Sequence, residues 1–152
     1  GRESIVSPID FLTKANEMLI GADVQKHMTM CFCVIDVATN TLSYSVAGHL
    51  PLPILVADDE PRYLGGQGMP VGLFDNAEFN VQTVSLPDKF SLCLFSDGIL
   101  EILPPKDLAD KESLLLGSLT KANGEVDDVC RRLFISSKDL PDDIAVLTIS
   151  KG

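Results

Sequence analysis

The feature that most constrains the fold is a pair of apolar segments joined by a short polar turn. Residues 28–37 form an almost continuous apolar run rich in Phe, Val and Ile, and residues 41–46 alternate between apolar and polar side chains. β-Branched and aromatic residues favour strands, and a two-residue period places alternate side chains on opposite faces of a sheet. Asn40 tolerates the left-handed conformation that a tight turn between them needs. The pattern predicts an antiparallel hairpin.

The rest of the chain predicts further short strands and a few helices. Strands are expected at residues 53–56, 61–64, 78–86, 90–95 and 144–149, and helices at 8–21, 110–119 and 126–134. Ser7 and Pro8 mark the start of the first helix, and Gly21 marks its end. Because the strands come in runs with helices grouped apart from them, we expect an α+β fold with antiparallel sheets.

A glycine-rich segment at residues 65–72 has the composition of a phosphate-binding loop. A nucleotide loop would be followed by a Lys-Ser or Lys-Thr pair and an amphipathic helix, and this segment is followed by neither. The segment is therefore expected to be a tight connection between strands.

Composition and charge limit the kinds of partner. The chain of 152 residues is 45% hydrophobic, which suits one soluble domain, and its formal charge of −10 argues against binding to nucleic acid or to an anionic membrane. No segment resembles a membrane span or a secretory leader. The chain begins at Gly1 rather than Met, and we expect it to be a piece of a longer protein.

The four cysteines all lie in apolar segments. Cys31 and Cys33 are separated by one residue, which is too close for an easy disulfide and lacks the two-residue gap of common zinc sites; the other two are Cys93 and Cys130. We expect all four to be small core residues, with a reducing cytoplasm as the corollary.

Carboxylates occur at two places where a predicted strand meets a turn. Asp97 follows the strand at 90–95 and precedes Gly98, and Asp142 and Asp143 precede the strand at 144–149. Such residues commonly cap backbone amides in turns. Carboxylate oxygens are also the ligands that Mg²⁺ and Mn²⁺ prefer. From the residues alone, turn capping is the more frequent role, and a metal site is the alternative.

Four motifs in order give a resemblance to a known family. They are Ala-Gly-His-Leu-Pro at 47–51, Gly-Met-Pro-Val-Gly at 68–72, Leu-Phe-Ser-Asp-Gly-Ile-Leu-Glu at 94–101 and Asp-Asp-Ile-Ala-Val-Leu at 142–147. This order resembles the C-terminal two thirds of bacterial PPM (protein phosphatase 2C-like) serine/threonine phosphatases, in their sporulation and stress-response branch. The resemblance implies an antiparallel β-sandwich flanked by α-helices, with residues 1–152 as the C-terminal portion of a single domain whose N-terminal strands are missing.

The resemblance also implies a metal centre. Asp97 and Asp142 match two ligands of a pair of Mn²⁺ or Mg²⁺ ions that activate a bridging water for attack on phosphorus. Gly98 and Asp143 are expected beside these ligands. Gly48 and His49 match the family's loop, where a hydrogen bond of His49 within its own turn is preferred over a catalytic role. The further ligand motifs of the family lie upstream, so this chain alone is expected to be a poor catalyst.

The implied function is that of a hydrolase in signal transduction. It is a metal-dependent phosphoserine/phosphothreonine protein phosphatase in a bacterial stress-response or sigma-factor pathway, cytoplasmic and often the output domain of a response regulator. The expected substrate is a phosphoprotein such as an anti-sigma antagonist. The alternative is a non-catalytic, phosphatase-like adaptor that binds a sigma factor or an anti-sigma regulator.

Overall fold

The computed structural model describes residues 7–23, 25–104, 106–120, 126–133 and 141–152. The elements in chain order are α1 (Pro8–Gly21), β1 (Met30–Asp36), β2 (Thr41–Ala47), β3 (Ile54–Ala57), β4 (Glu60–Tyr63), β5 (Gln82–Ser85), β6 (Phe90–Phe95), α2 (Gly98–Ile102), α3 (Leu108–Leu119), α4 (Val126–Arg132) and β7 (Val146–Lys151). The strands form two antiparallel sheets with the orders β1-β2-β5 and β4-β3-β6-β7. The expected α+β class is confirmed.

The chain divides into two compact units. The first consists of residues 1–49 and 65–86, and the second of residues 50–64 and 87–152. Each unit has one of the two sheets and its own cluster of buried side chains.

The predicted hairpin is the centre of the first unit. Strands β1 and β2 pair in register from Met30 opposite Ala47 to Asp36 opposite Thr41. The turn is held by Asp36, whose Oδ1 accepts hydrogen bonds from the amides of Ala38 at 2.9 Å and Thr39 at 3.2 Å. Asn40 has a φ of 49°, the left-handed conformation expected for it.

Helix α1 covers one face of this hairpin. It begins after Ser7, whose Oγ accepts a hydrogen bond from the Asp10 amide, and it buries Leu12 completely. The Phe11 ring stacks on the Phe32 ring of β1 with 4.1 Å between centroids. The buried cluster under the helix consists of Leu12, Ala47, Val71 and Phe79.

The glycine-rich segment packs along β2, in agreement with a tight connection. The Gly48 amide donates to the Gly68 carbonyl at 2.8 Å, and a Cβ atom on Gly68 would overlap the Val46 carbonyl oxygen. This segment occupies the side of β2 beyond Tyr44. Strand β5 therefore pairs with β2 only from Thr41 to Tyr44 and is shorter than the predicted strand at 78–86.

The second unit begins with a two-residue hairpin. Asp58 and Asp59, with φ of 51° and 61°, connect β3 to β4, and positive φ at both central residues is the geometry such hairpins favour. Strand β3 also pairs with β6, and β6 pairs with β7. The helices and sheet share a buried cluster made of Ile54, Val56, Cys93, Phe95, Ile99, Leu103, Leu115, Leu119, Val129 and Leu133.

Three elements of the second unit differ most from the predictions, and β3 and β4 are each shifted by one residue. Helix α2 follows Asp97 where only a turn was expected, and α3 begins at Leu108 rather than at 110. Strand β7 begins at Val146 rather than at 144, because β6 ends at Phe95 and leaves residue 144 no partner in the ladder. Helix α4 begins at Val126 as predicted, but its predicted last residue, Phe134, lies outside the described residues. None of the described helices has the length and apolar character that crossing a bilayer requires.

Candidate metal centre

Asp97 lies where β6 ends and α2 begins. Its side chain is exposed, and it makes no capping hydrogen bond to the helix that follows. The turn itself is closed by backbone bonds, from the Ile99 amide to the Ser96 carbonyl at 3.2 Å and from the Leu100 amide to the Asp97 carbonyl at 2.8 Å. The Asp97 carboxylate is thus not needed to close its turn.

Asp142 and Asp143 lie before β7, and both are exposed. One Asp142 oxygen, Oδ1, accepts a hydrogen bond from the Asp143 amide at 2.8 Å. This local bond fits the turn-capping interpretation in part. It also orients the Asp142 carboxylate and engages only Oδ1.

Ser96 joins these two corners, and sequence reasoning did not single it out. Its amide donates to the Ala145 carbonyl at 2.9 Å, its Oγ donates to the Asp143 carbonyl at 3.2 Å, and the Ala145 amide donates back to Oγ at 2.8 Å. The only available signal was a hydroxyl residue at a strand end directly before Asp97. Its partners lie 47 and 49 positions away, which no local pattern reveals.

Gly98 brings the two corners into close contact. A Cβ atom at this position would lie 2.5 Å from the Asp143 carbonyl oxygen, closer than real Cβ contacts allow. A side chain here would therefore push the segment before β7 away from α2. The role of Gly98 beside a metal ligand stays a prediction.

The donor chemistry of the two corners fits a hard divalent cation. Asp97 and Asp142 present exposed carboxylates on adjoining backbone segments, and such oxygens are preferred by Mg²⁺ and Mn²⁺. Within the described ranges, no three His, Cys, Asp or Glu side chains form a group that could hold a metal ion. Mg²⁺ takes about six ligands, several of them water, so the two carboxylates would be one part of a coordination shell.

Gly48 and His49 belong to the first unit. Gly48 has a φ of +66°, and a Cβ atom there would lie 2.8 Å from Cγ of Pro70. Both constraints favour glycine at the point where β2 meets the glycine-rich segment. His49 follows it and is half-buried.

The cysteines are free thiols, and Cys93 is a core residue as expected. Burial raises the pKa of Cys93 to about 11. Cys31, Cys33 and Cys130 are only partly buried, contrary to expectation. The Sγ atoms of Cys31 and Cys33 lie 3.7 Å apart on one face of β1.

An α+β chain with two antiparallel sheets agrees with the fold of a PPM-type phosphatase domain, the class inferred from the motifs. The family model described as "Stage II sporulation protein E (SpoIIE)" matches residues 2–151. The chain belongs to this family.

Curated relatives are similar over a limited part of their length. Protein IcfG of Synechocystis sp. is 27% identical over 136 residues, which cover 86% of this chain and 22% of that protein. Phosphoserine phosphatase RsbP of Bacillus subtilis is 26% identical over 125 residues, which cover 71% of this chain and 30% of that protein. The chain therefore spans less than a third of these relatives.

Solved structures share the fold. The PP2C phosphatase domain of SpoIIE from Bacillus subtilis, with a fragment of its regulatory domain, superposes with a TM-score of 0.77 at 16% identity, covering 96% of this chain and 44% of that one. The RsbU and RsbW domains of Rv1364c from Mycobacterium tuberculosis give a TM-score of 0.68 at 23% identity, covering 93% of this chain and 46% of that one. RsbX in complex with magnesium gives a TM-score of 0.66 at 15% identity, covering 91% of this chain and 62% of that one. The predicted resemblance to sporulation and stress-response phosphatases is confirmed.

Proposed function

We propose that this chain is the C-terminal portion of a metal-dependent phosphoserine/phosphothreonine protein phosphatase domain. The observation that carries the proposal is the pair of exposed carboxylates, Asp97 and Asp142, on corners that Ser96 joins by three hydrogen bonds. Membership in the SpoIIE family and the fold shared with phosphatase domains support it.

Asp97 and Asp142 would hold a Mn²⁺ or Mg²⁺ ion, one of two in the complete domain. A bound divalent cation supplies charge stabilisation for phosphate oxygens and a coordinated water of lowered pKa. The Asp97 carboxylate, with no helix-capping bond, faces solvent and is available as a ligand. The Asp142 carboxylate is oriented by the Asp143 amide. RsbX was determined in complex with magnesium, and a further structure of the SpoIIE phosphatase domain from Bacillus subtilis is described as Mn presoaked; both support this choice of ions.

The substrate would be a phosphorylated regulatory protein in a bacterial stress-response or sigma-factor pathway. Phosphoserine is the group named for the relative RsbP, and it is the group we assign to this chain's parent protein. An anti-sigma antagonist is the substrate class that the resemblance favours. Free thiols at all four cysteines are in keeping with a reducing cytoplasm.

Substituting the two carboxylates by amides in the full-length protein tests the proposal. Asp97→Asn and Asp142→Asn keep the side-chain shape but remove the charge that attracts a cation. Each should lower phosphoserine-peptide turnover by roughly a hundredfold or more. Each should also weaken Mn²⁺ binding measured by calorimetry, while the melting temperature without metal stays the same or rises. Asp88→Asn, at an exposed carboxylate elsewhere in the same unit, is the matched control and should change none of these quantities.

Two outcomes would contradict the proposal. The first is that Mn²⁺ affinity is unchanged in both variants while the free energy of unfolding falls by ~1 kcal/mol. The carboxylates would then be turn caps, and a non-catalytic adaptor would become the better interpretation. Full turnover of the pure parent protein in excess EDTA would exclude a metal-dependent reaction.

A further inference from the structure

Ser96 ends the β6–β7 ladder in an unusual way. In an antiparallel pair, two residues at a hydrogen-bonded position exchange both of their amide-to-carbonyl bonds. Ser96 and Ala145 occupy the position directly after the last ladder pair, Phe95 opposite Val146, and the Ser96 amide bonds the Ala145 carbonyl. The return bond from the Ala145 amide goes to the Ser96 hydroxyl at 2.8 Å instead of the Ser96 carbonyl.

The carbonyl of Ser96 has a different partner because the chain turns here. It accepts a hydrogen bond from the Ile99 amide at 3.2 Å, which begins the turn into α2. Without the hydroxyl, the Ala145 amide would lose its partner at the point where β6 leaves the sheet. The hydroxyl therefore lets the chain turn at Asp97 while keeping the segment before β7 attached.

The same segment is also held from the other side of Asp97. The Asp143 carbonyl accepts from Ser96 Oγ at 3.2 Å and lies against Gly98, where a Cβ atom would be 2.5 Å away. Residues 96 and 98 thus both contact the backbone next to Asp142. The side chain between them, Asp97, remains exposed.

We propose that Ser96 is a positioning residue, supported by Gly98, that sets the placement of the Asp97 carboxylate relative to the Asp142 carboxylate. This inference rests on the proposed metal-dependent function and explains how the two metal ligands, Asp97 and Asp142, are held in place before the ion binds. Ser96 acts through backbone atoms and does not itself touch the ion. Groups that orient metal ligands typically change metal affinity by ~10–100-fold when they are removed.

The test compares three substitutions in the full-length protein. Ser96→Ala removes the hydroxyl and should weaken Mn²⁺ binding by about 10–100-fold in calorimetry. Ser96→Thr keeps the hydroxyl and should bind Mn²⁺ with near-normal affinity. Gly98→Ala keeps the hydroxyl but forces the Asp143 carbonyl away, and it should weaken Mn²⁺ binding as Ser96→Ala does.

Ser91→Ala is the matched control, because Ser91 forms a hydroxyl pair across the same two strands. Its Oγ lies 3.0 Å from the Ser150 Oγ, at the other end of the ladder. It should lower the melting temperature of the metal-free protein about as much as Ser96→Ala, while Mn²⁺ affinity and the electron paramagnetic resonance spectrum of bound Mn²⁺ stay as in the wild type.

The outcomes separate this inference from the function on which it rests. If Asp97→Asn weakens Mn²⁺ binding but Ser96→Ala behaves like Ser91→Ala, the positioning role is wrong and the proposed function stands. If Asp97→Asn leaves Mn²⁺ binding unchanged, the proposed function itself fails. Should Ser96→Ala not fold, Ser96→Cys retains the shape with a weaker donor and takes its place, with the same expected loss of affinity.

Discussion

At the scale of single residues, one contact between Cys31 and Cys33 shifts the pKa values of their two thiols in opposite directions. Their sulfur atoms lie 3.7 Å apart. Either thiol can donate in this contact, and we assign Cys31 as the donor: its hydrogen bond lowers the pKa of Cys33, against the opposing effect of burial. The same hydrogen bond, together with burial and the neighbouring charge, raises the pKa of Cys31. Because thiolates are the reactive form of cysteine, the two positions should differ in reactivity.

Limited alkylation followed by peptide mass spectrometry measures this difference. With iodoacetamide, modification of Cys33 should begin at lower pH than that of Cys31. Cys93 should react slowest because its side chain is 1% exposed and therefore shielded from the reagent. Cys31→Ala removes the donor, so the pKa of Cys33 should rise and its alkylation should slow at a given pH. Equal rates at Cys31 and Cys33 in the wild type would contradict the assignment of Cys31 as the donor.

At the scale of elements, Asn16 fastens the glycine-rich segment to α1. Its Nδ2 donates to the Phe74 carbonyl at 3.0 Å, and its Oδ1 accepts from the Gly72 amide at 2.7 Å. Asn16 is 4% exposed, and both bonds are partly buried. Gly72 has a φ of +82° and lies against Leu19 of the helix. The hydrogen bond from its amide to Asn16 holds the loop in this conformation.

Asn16→Leu should therefore destabilise the first unit, since it leaves the Gly72 amide and the Phe74 carbonyl, both partly buried, without their partner. We expect a loss of ~1–2 kcal/mol in the free energy of unfolding measured by denaturant titration, because the cost of ~1–3 kcal/mol for each unsatisfied buried group is reduced where water reaches the group. Hydrogen exchange at the Gly72 amide should also accelerate. Asn76→Leu, on an exposed residue just after this segment, should change the free energy by less than ~0.5 kcal/mol. A similar loss in both variants would rule out a specific anchor.

Elements with a clear period were predicted well, and those set by distant neighbours were not. The hairpin at residues 28–46 and the helix ending at Gly21 follow from local patterns, and both are present. Strand β5 was predicted too long because its pairing partner is partly covered by the glycine-rich segment, a contact that alternation cannot show. Helix α2 was missed because five residues are too few to display a helical period.

At the scale of the whole molecule, the sequence indicated the candidate metal ligands but not the residue that joins the segments carrying them. Asp97 and Asp142 stand out because each adjoins an apolar strand within an ordered set of motifs, and their role as ligands stays a prediction. Ser96 did not stand out, since its role depends on Ala145, which is 49 positions away. Recognising it required the register of β6 and β7.

The isolated chain should be a poor catalyst compared with its parent protein. Asp97 and Asp142 supply two carboxylates, whereas each octahedral Mg²⁺ ion takes about six ligands and the proposed centre has two ions. We expect turnover of a phosphoserine peptide by residues 1–152, at saturating Mn²⁺, to be at least about a hundredfold below that of the full-length protein, the scale of losing a main electrostatic group. Comparable turnover would mean that the ligands have been assigned to the wrong residues.

The junction between Ser96 and the segment before β7 has a consequence for how the protein can change over evolution. Both corners are anchored to the same ladder, so their spacing is set by strand register and not by the length of chain between them. The cost of lengthening a loop grows only slowly with its length. Insertions and deletions between α2 and Asp142 that leave the packing of α3 and α4 intact can therefore accumulate while the two carboxylates keep their arrangement, whereas a one-residue slip of β7 along β6 would dismantle it.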